Sequence, residues 1–202
     1  MKLGLITDIH EHVELLRSAL DQLRREQVDQ IVMLGDVFEL GERMQETCEL
    51  LADAQVIGVW GNHDLGLCDH PLPTIREKYG DTVIDFMSSL QPRLEIEGCL
   101  FQHVEPWLNP NDILDLWYFE GVPDTPEMVA RIFQAVPNRL SFAGHFHRWL
   151  IVTPDGMTDW VGEDAVQLTG PERYFVLIGA LCYGRYAVFD TDTFELVPRE
   201  IG

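Results

Sequence analysis

Basic residues are scarce in this chain. Fourteen Lys and Arg stand against 34 Asp and Glu, a formal net charge of −20 over 202 residues. So acidic a chain repels a phosphate backbone at long range, and it carries no Lys/Arg-rich stripe, so binding of nucleic-acid polymers is not expected. Cysteine is sparse too. Cys48, Cys68, Cys99 and Cys182 are scattered with no C-x-x-C pair, which reads as buried free thiols in a reducing cytoplasm rather than a disulfide framework. No apolar run approaches the roughly 18 residues of a membrane-spanning helix. The start, Met1-Lys2-Leu3-Gly4-Leu5, lacks the pattern of a signal peptide. Linkers, internal repeats and low-complexity segments are also missing. The expectation is a cytoplasmic protein with no membrane partner. Hydrophobic residues make up 46% of the chain, enough for a proper core, and the length favours one domain.

What the chain does have is a series of polar residues at the ends of short apolar runs. Asp8 and His10 follow Leu3-Gly4-Leu5-Ile6. Gly35-Asp36 follows Ile31-Val32-Met33-Leu34, and Gly61-Asn62-His63-Asp64 follows Val56-Ile57-Gly58-Val59. His103 follows Cys99-Leu100-Phe101, and Gly144-His145-Phe146-His147 follows Leu140-Ser141-Phe142-Ala143. In open α/β sheets, ligands bind just beyond the carboxyl ends of the strands. Five strands ending in carboxylate, amide or imidazole would gather those groups into one polar cluster. The donor set is hard oxygen plus imidazole with no thiolate, which suits divalent Mn, Fe or Zn rather than a structural thiolate zinc site.

The first third of the chain alternates strand and helix. Lys2–Thr7, Ile31–Leu34 and Val56–Trp60 read as buried strands. Val13–Gln27 and Gly41–Ala52 read as amphipathic helices, the pattern of a largely parallel sheet. In the middle, Pro71 and Pro73 break the chain, and Asp81–Leu90 is predicted as a helix. Arg93–Ile96 and Cys99–Gln102 are strands around a Glu97-Gly98 turn, and a helix runs from Pro126 to Ala135 behind a Thr125 cap. After His147, strand-like pieces at Trp149–Thr153, Tyr174–Ile178, Arg185–Asp190 and Phe194–Pro198 suggest a second, mainly antiparallel set of strands.

Taken in order, Asp8-x-His10, Gly35-Asp36, Gly61-Asn62-His63-Asp64, His103 and Gly144-His145-x-His147 resemble the motifs of the calcineurin-like metallophosphoesterases, in particular their small single-domain bacterial and archaeal phosphodiesterases. The resemblance spans nearly the whole chain. It implies one metallophosphoesterase domain over residues 1–202 and an α/β (α+β) fold, in which two packed mixed β-sheets are flanked by helices in a four-layer αββα sandwich. It also implies two divalent metal ions, manganese first, with iron, zinc, nickel or magnesium as alternatives. Asp8, His10 and His147 would join Asp36 around one metal. Asn62, His103 and His145 would join Asp36 around the other. Cations about 3.5–4 Å apart neutralise a phosphate ester, hold the in-line geometry and acidify a bridging water. His63 would protonate the leaving alkoxide, and Asp64 could hold its imidazole. The expected substrate is a small phosphodiester. A phosphomonoesterase, a nucleotide pyrophosphohydrolase or a catalytically silent scaffold would share the fold.

Several residues remain open at this level. Glu11-His12 replaces the Gly-Asn usual in the resembling family, either changing the turn or shaping access to the site. Glu105 could compete with His103 as a ligand or support it. The aromatics of Trp107–Phe119 either wall a substrate pocket or pack their loop. Arg148, Arg173 and Arg185 are candidate phosphate contacts, and His70 reads as surface.

Overall fold

A computed structural model describes residues 1–170 and 172–202. The chain order is β1 (Lys2–Ile6), α1 (Val13–Arg25), β2 (Gln30–Leu34), α2 (Met44–Asp53), β3 (Ile57–Val59), α3 (Leu65–Cys68), α4 (Pro73–Met87), β4 (Leu94–Ile96), β5 (Cys99–Phe101), α5 (Ile113–Leu116), α6 (Pro126–Ala135), β6 (Leu140–Ala143), β7 (Leu150–Thr153), β8 (Gly156–Met157), β9 (Val166–Gln167), β10 (Tyr174–Leu177), a 3-10 turn (Leu181–Tyr183), β11 (Arg185–Asp190) and β12 (Glu195–Glu200). Two six-stranded sheets form, ordered β3-β2-β1-β11-β12-β9 and β4-β5-β6-β10-β7-β8. In the first, β1, β2 and β3 are parallel, with Leu5 beside Val32 and Val32 beside Ile57, whereas β11, β12 and β9 are antiparallel. In the second, β5, β6 and β10 are parallel, with Phe101 and Val176 both beside Phe142.

Period-two alternation along these strands builds three apolar layers. Leu3, Leu5, Val32 and Leu34 of the first sheet meet Phe101, Phe142, Ile151 and Val176 of the second between the sheets. There the Phe101 and Phe142 rings stack with centroids 5.2 Å apart. Leu16, Ala19, Leu20 and Leu23 of α1 join Met44, Cys48 and Leu51 of α2 and Ile84 and Met87 of α4 on the outer face of the first sheet. On the outer face of the second, Val129 and Ile132 of α6 cover Phe175, Leu177 and Val152. Each fully buried Leu, Ile, Val or Phe stabilises the fold by about 1.5–3 kcal/mol. The two helix-flanked mixed sheets agree with the expected architecture.

The C-terminal strands are a correction. They do not form a second set: β7, β8 and β10 complete one sheet, and β9, β11 and β12 extend the other. β11 pairs antiparallel with β1 and β10 pairs parallel with β6, so each late segment adds to an edge left by the early ones. Helix boundaries shift for local reasons. α1 stops two residues short of Gln27 because that residue turns left-handed, φ 55°, and Val28 N–H bonds back to the Leu23 carbonyl. Instead of breaking the chain, Pro73 opens α4 from its first position, and Gly80, φ 81°, interrupts that helix where the predicted one was to begin.

Candidate metal centre

The carboxyl ends of β1, β2, β3, β5 and β6 converge on one edge of the two sheets. Their loops are zipped together by the backbone: Asp8 N–H donates to the Gly35 carbonyl, Ile9 and His10 N–H to that of Asp36, and Gly144 N–H to that of His103. The loop after β10 closes the other side, where Leu181 and Cys182 N–H donate to the carbonyls of Thr7 and Asp8. The two-residue spacing of Asp8/His10 and of His145/His147 would send both side chains one way on extended backbone, but the structure differs. All four are left-handed, with φ of 51°, 45°, 68° and 53°, as is Asp36 at 59°. Such a conformation costs about 1 kcal/mol or more for a non-glycine residue and concentrates at functional sites. Two motif glycines answer to crowding instead. A Cβ on Gly61 would strike the Asp36 carboxylate, and one on Gly144 would strike Thr7.

Three groups of donor atoms lie within 4.8 Å of one another: Asp8, His10 and His147; His10, Asp36 and His63; and Asp36, His103 and His145. His147 Nε2 is 3.2 Å from Asp8 Oδ1 and 3.3 Å from His10 Nε2. His103 Nε2 is 3.3 Å from Asp36 Oδ2, and Asn62 Oδ1 lies 2.9 Å from both His103 Nε2 and His145 Nδ1. Asp36 therefore stands between the two histidine pairs.

The ring tautomers follow from the outer hydrogen bonds. His103 Nδ1 donates to the Leu34 carbonyl at 2.7 Å, and His10 Nδ1 donates to the Phe38 carbonyl at 3.3 Å, with Glu39 Oε2 2.9 Å away. In the neutral rings that leaves each Nε2 as a lone pair pointing inward at carboxylate and amide oxygens. Acceptors facing acceptors call for a positive charge between them, and an outer N–H anchored on oxygen is how metal-binding imidazoles are held. The donors thus fit divalent cations. The same demand appears in the protonation equilibria. Burial alone would lower His103, but the Asp36 carboxylate holds it up at about 9. The hydrogen bond to Asp8, helped by Cys182, holds His147 up at about 11. Asp36 is kept below the usual carboxylate range by His103 and His63 against the opposing effect of its burial. Burial, with His103 beside it, pushes His145 down to about 4, so its ring is neutral at pH 7.

Asp64 has a different place from the one expected. It is fully buried, and its oxygens accept from the N–H groups of Asp36, Val37, Phe38 and Gly61 at 2.8–3.0 Å. Burial and the adjacent Asp36 push its carboxyl up to about 6, and those backbone donors oppose the shift. It shapes the Asp36 loop rather than holding the His63 imidazole. The carboxylate beside that ring is Glu39, whose Oε2 lies 3.9 Å from His63 Nδ1. Sequence reasoning missed Glu39. Its signal is an acid three residues beyond Asp36 on the same turn. His63 itself is part-exposed, and its N–H donates to Asp36 Oδ1 at 3.1 Å.

Glu11 keeps a left-handed turn and is buried. Its carboxylate accepts from Glu39, Gly41 and Arg43 N–H at 3.0, 2.6 and 2.7 Å, which fixes the loop carrying Glu39 and delays α2 to Met44. His12 is exposed at the rim of the site, and His70 is 98% exposed on the surface. Glu105 belongs to none of the donor groups found among the described residues. It is 3% exposed, its Oε2 has no hydrogen-bond partner, and burial pushes its carboxyl up from 4.5 to about 7. A raised acid favours the fold while protonated, so this stabilisation is complete below about pH 4.5 and disappears as pH rises through 7. Relative to Glu105→Gln, the wild type should therefore lose about 3 kcal/mol between those limits, read as urea midpoints at pH 4.5 and 7.5. Parallel pH profiles for the two proteins would contradict the buried-acid account.

A cavity of about 490 Å³ opens over the cluster, lined by His10, His12, Asp36, Glu39, Asn62, His63, Trp117, His145, His147, Cys182 and Tyr183. No Lys or Arg is among them. Arg173 is committed to the carbonyls of Phe133, Val136 and Asn138, and neither Arg148 nor Arg185 lines this cavity. A larger cavity of about 650 Å³, between Arg93 and Arg131, has no carboxylate or imidazole in its walls and so no comparable chemistry. The aromatic segment divides. Trp107 packs inward beneath the Arg131 guanidinium, whereas Trp117 faces the centre with its ring 5.0 Å from His63.

This fold and donor set are those of a metal-dependent phosphoesterase. A sequence model of the calcineurin-like phosphoesterase superfamily domain matches residues 1–161, and the chain belongs to that family. An uncharacterized protein of Methanocaldococcus jannaschii is 25% identical over 96% of this chain and 84% of its own length. Among solved structures, a metallophosphoesterase from Sphaerobacter thermophilus superposes with a TM-score of 0.79 at 23% identity, covering 100% of this chain and 88% of that one. A structure described as a novel archaeal phosphodiesterase aligns over the full length of both chains, with a TM-score of 0.56 and 16% identity. No helix among the described residues is long and apolar enough to cross a membrane.

Proposed function

We propose that this protein is a two-metal phosphodiesterase acting on a small substrate with one phosphate. The observation that carries the reading is Asp36, which stands between two imidazole pairs in a cavity whose wall holds Glu39 and no Lys or Arg. Asp8, His10 and His147 with Asp36 would hold one divalent cation. Asn62, His103 and His145 with Asp36 would hold the other. Manganese suits this oxygen-and-imidazole set. Bound there, the pair neutralises the phosphate and supplies a nucleophile from water at neutral pH.

The protein groups do the rest. His63, at the part-exposed edge with Glu39 beside Nδ1, is placed to give a proton to the leaving oxygen. Asp64 and Glu11 hold the loops that carry Asp36 and Glu39. Charge supports a diester over a monoester or polyphosphate. A diester brings one negative charge, whereas the further charges of a monoester or polyphosphate would meet Glu39 and find no Lys or Arg on the wall. The four unpaired cysteines are consistent with a cytoplasmic setting.

The test is hydrolysis of bis-p-nitrophenyl phosphate against p-nitrophenyl phosphate by metal-stripped protein titrated with Mn²⁺, with bound metal counted in parallel. Diester turnover that rises as occupancy approaches two is the expected result. Preference for the monoester would overturn the diesterase reading, and two bound metals without turnover on either ester would overturn it for simple substrates. No metal and no turnover would favour a scaffold.

A further inference from the structure

Two large aromatic side chains stand at the cavity without serving the core. Trp117 is 54% exposed and Tyr183 is 61% exposed, and neither joins any of the three apolar layers. They end a continuous row of rings: Trp117, His63, His10, His147 and Tyr183, with successive centroids 5.0, 4.9, 5.2 and 5.6 Å apart. Both are pinned from behind by backbone. Asp112 caps the turn leading to Trp117 by accepting from Leu114 N–H at 2.9 Å, and Trp117 N–H donates to the Ile113 carbonyl. Tyr183 closes a 3-10 turn through its N–H to the Ala180 carbonyl. Exposed rings carried on hydrogen-bonded turns on either side of a reaction centre are surfaces for flat groups, because stacking needs only an accessible π-face.

We propose that Trp117 and Tyr183 are stacking subsites on the two sides of a single phosphate, and that the substrate class is a nucleoside phosphodiester carrying one phosphate. The inference rests on the phosphodiesterase reading above. Trp117 adjoins His63, the group placed to protonate the leaving oxygen, so it takes the ring of the leaving alcohol. Tyr183 adjoins His147 at the opposite end and takes the ring of the retained group. The walls exclude the alternatives. Polyphosphates and long nucleic acids need cations along their backbone, but the cavity offers Glu39 and no Lys or Arg, on a chain of net charge −20. A glycerol diester has no flat group to cover either ring.

The experiment measures kcat and KM of the Mn²⁺-loaded protein on adenylyl-(3′,5′)-adenosine and on glycerophosphoethanolamine. Wild type is compared with Trp117→Ala, Trp117→Phe and Tyr183→Ala. Bis-p-nitrophenyl phosphate serves as a check on the wild type, and metal content is counted throughout. The wild type is expected to prefer the dinucleoside monophosphate. Each alanine variant should raise KM for it by about tenfold to a hundredfold, with kcat within about threefold and metal content unchanged. Trp117→Phe should restore most of the loss, and quenching of tryptophan fluorescence by the dinucleoside should vanish in that variant. Unchanged KM in both alanine variants, failure of Trp117→Phe to restore it, or a wild-type preference for the glycerol diester would overturn the proposal. Wild-type turnover of the nitrophenyl diester alone would overturn the substrate class and leave the diesterase standing. An inert wild type with two metals bound would remove the diesterase reading and this inference with it.

Discussion

Asp36→Asn is expected to bind fewer than two metals per chain and to lose about two to three orders of magnitude in diester turnover. The loss corresponds to the several kcal/mol by which a metal pair stabilises charge in the transition state. Asn is the informative replacement because it isolates charge from shape. Asp36 sits at φ 59°, a conformation Asn adopts more readily than most residues, and an amide oxygen still accepts from His63 N–H. The anionic charge that draws both imidazole pairs together is removed, so His103 should lose the partner that holds it up near 9. Elemental analysis and a thermal melt decide the matter. A folded variant that retains two metals would show that Asp36 does not bridge them.

His63→Ala is expected to behave in the opposite way, keeping both metals while losing most of its turnover where the leaving group is poor. Its contribution to the donor framework is a main-chain N–H, which alanine retains, and its ring lies at the exposed edge of the cluster. General-acid catalysis contributes about 10²–10⁴-fold. A loss of that size is predicted for an alkyl or nucleoside leaving group, and a far smaller one for p-nitrophenolate, which departs with little help from a proton. Equal losses on both leaving groups would remove His63 from the acid role. Glu39→Gln should shift the same leaving-group-dependent rate to a smaller extent, since its carboxylate lies 3.9 Å from the His63 ring.

Much of the fold and site is legible along the chain because the signals are local. Lys2–Thr7, Ile31–Leu34 and Cys99–Gln102 read as strands from their largely apolar character, and each carries its donors just beyond. Asp8, His10, Asp36, His103, His145 and His147 consequently come together at one edge, and Asn62 joins them through His103 and His145. Thr125 caps α6 as expected, its hydroxyl accepting from Met128 N–H, since capping is settled within four residues. The errors occur where partners are far apart. Asp64 meets N–H groups 26 to 28 residues earlier, so no local pattern distinguishes it from a carboxylate orienting the histidine beside it. Glu11 reaches residues 28 to 32 positions away and sets where α2 begins. The late strands look alike in sequence, and their division between sheets depends on which edges β1 and β6 leave open.

By itself the sequence determined which donor types stand at which strand ends, and the resemblance carried by those motifs implied the family and its two-sheet architecture. The motifs, and the strand and helix patterns around them, rest on residue identity and periodicity, both of which are short-range. Only the tertiary structure decided how the donors are used. It fixes the left-handed turns that aim Asp8, His10, His145 and His147 inward, and it supplies the carbonyls of Leu34 and Phe38 that turn two imidazole rings toward Asp36. It also places Trp117 and Tyr183 at opposite ends of one row of rings, though 66 positions separate them in the chain. A lone pair's direction and a ring's exposure depend on what packs behind them, and those contacts come from remote parts of the chain.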